Sequence, residues 1–220
     1  MRVVLASTSS YRAALLQRLG VAFDAIAPGV DEQRLAGEAP AALCRRLSAA
    51  KAAAVSGRAP DALVIGSDQV LALGSSVLGK PGTPDAARAQ LRRMSGRTAR
   101  FLTGLHVHCP DGRRYDMVVP YAVRMRQLDD ALIDAYLAFD EPWDCAGSFK
   151  SESAGVVLFA AQHGDDPTAL VGLPLQRLAV ILRAEGVRLL SAPRVALPRV
   201  ELPRPAPSGD AAAQGRSRAQ

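Results

Sequence analysis

Cysteine is scarce in this 220-residue chain: Cys44, Cys109 and Cys145 stand far apart, and no two form a Cys-x-x-Cys pair. An odd number at such spacing builds neither a disulfide framework nor a zinc finger, and the three are expected as reduced bystanders in the core. Long apolar runs are also missing. Arg2 is followed only by Val3 to Ala6, too short for a signal-peptide core or a membrane span, so a cytoplasmic location with no membrane partner is expected. No Gly-x-Ser-x-Gly elbow occurs and the histidines adjoin no nucleophile, which removes Ser-His-Asp chemistry. His106 and His108 share one face of an expected strand, yet two ligands without a third fall short of a zinc site. There is no internal repeat.

What is present is a chain of 49% hydrophobic residues with a formal net charge of +6, enough to bury one core. Half of that charge lies between Ser191 and Gln220, where five arginines face only Glu201 and Asp210 among prolines and alanines. That composition predicts a disordered tail over 191–220 and one folded domain over 1–190. The charge left on the body suits a small polyanionic substrate. The body lacks the alternation of basic and aromatic residues used by nucleic-acid binders, which weighs against nucleic acid as a partner. Nothing sets the oligomeric state, and a homodimer has room.

Ile65-Gly66-Ser67-Asp68-Gln69-Val70 organises the rest. An acid and an amide follow a short apolar run that reads as a buried strand, and in open α/β sheets ligands sit outside the carboxyl ends of strands. Asp68 and Gln69 are therefore expected to project into a crevice. Upstream, Val3 to Ala6 reads as a strand, then Ser7-Thr8-Ser9-Ser10 as the cap of a helix carrying Leu15, Leu16 and Leu19. Such a helix start favours phosphate, with Arg12 as a forked donor; ordinary capping beside a surface arginine is the alternative. Val21 to Pro28 reads as a second strand. Val30-Asp31-Glu32 is an acidic turn whose carboxylates either bind a metal or face water.

A long helix is predicted from Pro40 to about Ser56. Lys51 within it sits among alanines, with no local partner, and so awaits either solvent or a phosphate. Gly74 to Lys80 matches the spacing of a phosphate loop, but Pro81-Gly82 follows where Ser or Thr and a helix are required. A short hairpin would instead return Lys80 towards Asp68. Thr83-Pro84 starts another helix, and strands over Thr98–Cys109 and Arg114–Arg126 meet at Pro110-Asp111-Gly112. After a helix over about 129–139 comes the polar turn Ala146 to Glu152, flanked by an expected strand from Val156 to Ala160. Glu152 is either a crevice acid or a solvated loop residue. A last helix follows Leu173-Pro174.

One strand acid, acidic companions and several cations around a phosphate-suited turn point to phosphoanhydride chemistry. The ordered motifs Leu5 to Arg12, Val30-Asp31-Glu32, Arg46-Leu47-Ser48 with Lys51-Ala52, Gly66 to Val70, Gly79-Lys80-Pro81, Ala146 to Glu152 and Val171 to Pro174 resemble those of the Maf nucleoside triphosphate pyrophosphatases. The resemblance implies an α/β fold, a Maf-like (ITPase-like) mixed sheet flanked by helices in two lobes with a central cleft. It also implies hydrolysis between the α- and β-phosphates of a nucleotide with a divalent metal, Mg²⁺ or Mn²⁺. By that likeness Asp68 is the proton acceptor and, with Glu32, the metal ligand, while Ser7, Arg12, Lys51 and Lys80 bind phosphate. Tyr11, Gln69 and Glu152 look like the specificity residues of the branch acting on 7-methyl-GTP. Three departures are Ser10 for a common Pro, Ala13 for a frequent second Arg, and Tyr11 for the branch's usual tryptophan. The alternatives are a broader house-cleaning pyrophosphatase and a non-catalytic nucleotide-binding regulator of cell division.

Overall fold

The computed structural model describes residues 1–191; except for Ser191, the predicted tail lies outside the described residues. β1 (Arg2–Leu5) leads into α1 (Ser10–Gln17), and after the short β2 (Asp24–Ala25) comes α2 (Pro40–Ser56). β3 (Ala62–Leu73) and β4 (Ser76–Leu78) form a hairpin, followed by α3 (Pro84–Met94). β5 (Thr98–His108), β6 (Arg114–Met125) and α4 (Asp130–Asp140) come next. A 3₁₀ turn over Ala154–Leu158 precedes β7 (Phe159–His163), and α5 (Thr168–Val171) and α6 (Leu175–Ala184) close the described chain. Among the described residues no helix is long and apolar enough to cross a membrane.

The strands make one mixed seven-stranded sheet in the order β2-β1-β3-β5-β6-β7, with β4 beside β3. β1 runs parallel to β2 and β3, whereas β3, β5, β6 and β7 pair antiparallel. β5 covers one edge of β3 from Val64 to Ala72. On the other edge β1 reaches only Ile65 and β4 begins at Leu71, so Gly66 to Val70 have no strand on that side. The cleft opens there.

Side chains alternate across a strand, and β3 interrupts its apolar pattern on both faces at the same level. On one face, Leu63 and Ile65 join Leu5, Leu16 and Ile181, while Leu71 joins Met94, Phe101 and Ile133; Ser67 and Gln69 separate the two clusters. On the other, Val64 packs with Val4 and Val55, and Val70 with Leu43 and Leu47; Gly66 and Asp68 lie between. Each fully buried leucine or isoleucine contributes roughly 1.5–3 kcal/mol, so the two lobes are held at their ends and meet at a polar waist.

Three expectations about elements change. The strand over Val21–Pro28 contracts to Asp24–Ala25. The expected strand Val156–Ala160 begins only at Phe159, because Val156 and Val157 belong to the 3₁₀ turn and are exposed. Asp68 is not at a strand end: it sits in the middle of β3, opposite Gly104 of β5. It is β1, the parallel neighbour, that ends beside it, which is why the open edge faces the acid.

Candidate active site

Two glycines seat α2 on the sheet. A Cβ on Gly66 would lie 2.2 Å from the Ser48 carbonyl oxygen, and one on Gly104 2.7 Å from that of Cys44. With no side chains in the way, α2 lies flush against β3 and β5. Lys51, one turn beyond Ser48, then reaches back over the strand. Its ammonium sits 2.6 Å from Asp68 Oδ1 and 2.7 Å from Glu32 Oε1. Lys51 and Asp68 are only 5% and 7% exposed, so the lysine that sequence left to solvent or phosphate is the buried link between two carboxylates.

The surroundings move the two carboxylates in opposite directions. Burial pushes the Asp68 carboxyl above the usual carboxylate range, and the adjacent Glu32 adds to this, against the pull of Lys51 and Arg12. For Glu32 burial acts in the same upward direction, but Lys51, Arg12 and Lys80 together outweigh it and hold the group below its ordinary value. Two neighbouring carboxylates are thus driven apart in acidity, the pattern that separates acid–base roles.

α1 supplies the next wall. Ser9 caps it, accepting from the Arg12 N–H at 3.4 Å, and Ser7 Oγ accepts from the Ser9 N–H at 3.1 Å. Among the described residues the N–H groups of Thr8, Ser10 and Tyr11 have no acceptor, leaving a positive helix start facing the cavity. Arg12 Nε donates to the Gly172 carbonyl at 2.8 Å, which fixes the guanidinium plane. Burial lowers its pKa, opposed by Asp68 and Glu32, yet a guanidinium stays charged.

The cavity so formed is about 580 Å³ and is lined by all nine residues singled out from sequence: Ser7, Tyr11, Arg12, Glu32, Lys51, Asp68, Gln69, Lys80 and Glu152. Lys80 arrives by the β3–β4 hairpin, in which Leu71 pairs with Leu78. Tyr11 is half-buried, and its hydroxyl lies 3.7 Å from Cys145 Sγ. Burial, with Cys145, Asp144 and Glu152 adding to it, raises the tyrosine's pKa; burial first raises the Cys145 thiol to about 12. Cys44 and Cys109 are buried as expected, but Cys145 is a cavity-wall residue rather than a core bystander.

Gln69 does not project from the same face of β3 as Asp68. As the next residue of a strand it faces away from Asp68, and its amide nitrogen donates to the carbonyls of Ala169 and Leu170 at 2.8 and 2.9 Å. Those two acceptors orient the amide. Sequence reasoning also missed Gly172: its carbonyl receives both Arg12 Nε and, at 3.0 Å, Ser67 Oγ. Its φ of 119° suits glycine, and the glycine in Val171-Gly172-Leu173-Pro174 was the available signal.

The donor set suits a divalent cation. Among the described residues no three His, Cys, Asp or Glu side chains converge as a cage. Two carboxylates do meet on a single ammonium, and a hard ion that completes its shell with substrate phosphates and water takes one or two carboxylates from the protein. Glu32 and Asp68 fit that requirement.

Known proteins resemble this chain over most of its length. A 7-methyl-GTP pyrophosphatase of Pseudomonas aeruginosa is 50% identical over 188 residues, covering 85% of this chain and 98% of that protein. Its namesake from Alkalilimnicola ehrlichii is 51% identical over 189 residues, covering 86% and 95%. Among solved structures, the Staphylococcus aureus Ham1 protein matches 84% of this chain and 100% of its own at 14% identity and a TM-score of 0.49. Residues 2–185 match the family described as Maf-like protein, and the chain belongs to that family.

Proposed function

We propose that this protein is a nucleoside triphosphate pyrophosphatase that hydrolyses the α–β phosphoanhydride of 7-methyl-GTP to 7-methyl-GMP and pyrophosphate. The observation that carries the reading is Lys51 bridging Asp68 and Glu32 in a cavity whose other walls present an open helix start, Tyr11 and Glu152. Relatives about half identical bear the matching name.

Asp68 serves as general base. Its raised pKa makes it a stronger acceptor than an exposed carboxylate, and it takes a proton from the attacking water as the oxygen–phosphorus bond forms and pyrophosphate leaves. Lys51 keeps the carboxylate aimed. Arg12, Lys80, Ser7 and the free N–H groups of the Ser7–Tyr11 turn hold the phosphate oxygens and offset charge on the leaving group. Glu32 and Asp68 would hold a Mg²⁺ or Mn²⁺ ion, which would further neutralise the phosphates.

At the other end, Tyr11 offers its ring to the base. N7-methylation makes guanine cationic, and an aromatic face gains roughly 0.5–2 kcal/mol from such a cation. Glu152 accepts from N1–H and the 2-amino group, and Gln69, with its nitrogen already engaged, turns its carbonyl oxygen to the substrate. The test is pyrophosphate release from 7-methyl-GTP, GTP, UTP and dTTP, with Mg²⁺, with Mn²⁺ and with a chelator. Metal-dependent release fastest from 7-methyl-GTP is expected. Equal rates with all four would leave a broad house-cleaning enzyme, and no release with either metal would leave a nucleotide-binding regulator.

A further inference from the structure

The segment that anchors Arg12 and Gln69 is itself held by a carboxylate outside the cavity. Asp166 is 1% exposed, and its Oδ1 accepts from the Thr168 N–H at 3.0 Å and from Thr168 Oγ1 at 2.5 Å. Its Oδ2 accepts from the Gln176 N–H at 2.8 Å, and Thr168 Oγ1 in turn accepts from the Leu175 N–H at 2.8 Å. Pro174 precedes α6 and provides no side-chain cap. The first N–H groups of α6 are therefore satisfied from across the loop, by Asp166 and Thr168, where a carboxylate is also favoured by the α6 dipole. The result is a closed neck around Ala169 to Pro174.

Leu170 and Val171 of that loop line the cavity, and the polar contacts it gives Arg12 and Gln69 are backbone carbonyls. Ala169 O receives Gln69 Nε2 and, at 2.7 Å, Thr103 Oγ1; Leu170 O receives Gln69; Gly172 O receives Arg12 and Ser67. A four-residue helix cannot hold these carbonyls in place by its own hydrogen bonds, so their positions depend on the neck together with the core packing of Leu170 and Leu173. We infer that Asp166, acting with Thr168, is a positioning residue that sets Arg12 for phosphate and Gln69 for the base by clamping the Thr168–Gln176 loop. Neither residue touches the cavity. The roles given to Arg12 and Gln69 rest on the function proposed above.

The experiment measures equilibrium binding of 7-methyl-GTP in chelator, then KM and kcat with Mg²⁺, for Asp166→Asn, Thr168→Val and Thr168→Ser. Loss of clamp bonds, two of them in Thr168→Val, should weaken binding at least about tenfold, as loss of a hydrogen bond to a charged group would, with KM rising in step and kcat changing much less. Thr168→Ser keeps the hydroxyl and should bind like the native protein; it also keeps the inference testable if Asp166→Asn does not fold. In an Arg12→Ala, Gln69→Ala background, Thr168→Val should add almost nothing, since its effect passes through those side chains. Native-like binding by Thr168→Val, an equal loss in Thr168→Ser, or a full further loss in that background would overturn the inference. If the native protein binds but does not cleave, the proposed reaction falls while the binding differences still decide the clamp; if it cleaves and Thr168→Val binds normally, only the clamp falls. A native protein that binds no 7-methyl-GTP ends both.

Discussion

Gly66 and Ser48 are in such close apposition that a methyl group on the glycine would come within 2.2 Å of the serine carbonyl oxygen and 2.7 Å of the Ala52 nitrogen. This contact sets the height of α2 above the sheet, and with it the reach of Lys51 to Asp68. Gly66→Ala must lift the helix. Overpacking of this kind costs roughly 1–3 kcal/mol, so a lower denaturation midpoint is expected. Pyrophosphate release should fall by more than the stability loss accounts for, because Lys51 is carried away from both carboxylates.

Asp68→Asn tests the base directly. The substitution keeps size and removes proton acceptance, so turnover should fall by about 10² to 10⁴. Nucleotide should still bind, since Lys51, Arg12 and Lys80 remain. Comparing single-turnover pyrophosphate release with equilibrium binding separates the two, and a variant that retains native turnover would remove Asp68 from the chemistry.

The opposed shifts of Asp68 and Glu32 predict the shape of the pH–rate profile. Without metal, Glu32 is held below and Asp68 above the ordinary carboxylate range, so the rising limb of kcat/KM belongs to Asp68 and should move to lower pH as the Mg²⁺ concentration is raised. Lys51 favours the ionised form of Asp68; Lys51→Ala should therefore move that limb to still higher pH as well as lowering the plateau. For stability the sign is opposite to that of a salt-bridged surface acid. A carboxyl whose folded pKa is raised favours the native state below its unfolded pKa, and that contribution is lost as pH rises through the folded pKa. Relative to the native protein, Asp68→Asn should be least stabilised at low pH and gain as pH rises; urea midpoints across pH in chelator read the slope.

Tyr11→Ala should lower the ratio of kcat/KM for 7-methyl-GTP over GTP by about twofold to thirtyfold, the equivalent of 0.5–2 kcal/mol. Tyr11→Trp should raise it through the larger face. Both variants should treat UTP much as the native protein does. A ratio unmoved by either would take Tyr11 out of base selection.

Much of the scaffold was legible along the chain. The helix from Pro40 to Ser56, the Thr83 cap with Ala87, Leu91 and Met94 inside, and the hairpin at Pro110-Asp111-Gly112 are all local signals, and they stand where spacing placed them. The nine predicted residues that line the cavity come from six separate stretches of sequence, joined by motifs in a fixed order. What spacing did not reveal was relation across space. Lys51 has only alanines beside it in sequence, and its partners lie 17 and 19 residues away, on a strand and in a turn.

The amino-acid sequence by itself determined which residue types were present to do chemistry and which elements would carry them, because helix caps, turn residues and apolar periodicity act over a few residues. Only the tertiary structure decided that Asp68 and Gln69 serve opposite faces, because side chains alternate along β3, and that strand continues past the residue where β1 stops. It also decided that a glycine carbonyl at 172 holds Arg12 and that a buried carboxylate at 166 closes the loop presenting it. Those links join residues far apart in the chain, and only packing of the two lobes against one sheet brings them within hydrogen-bonding distance.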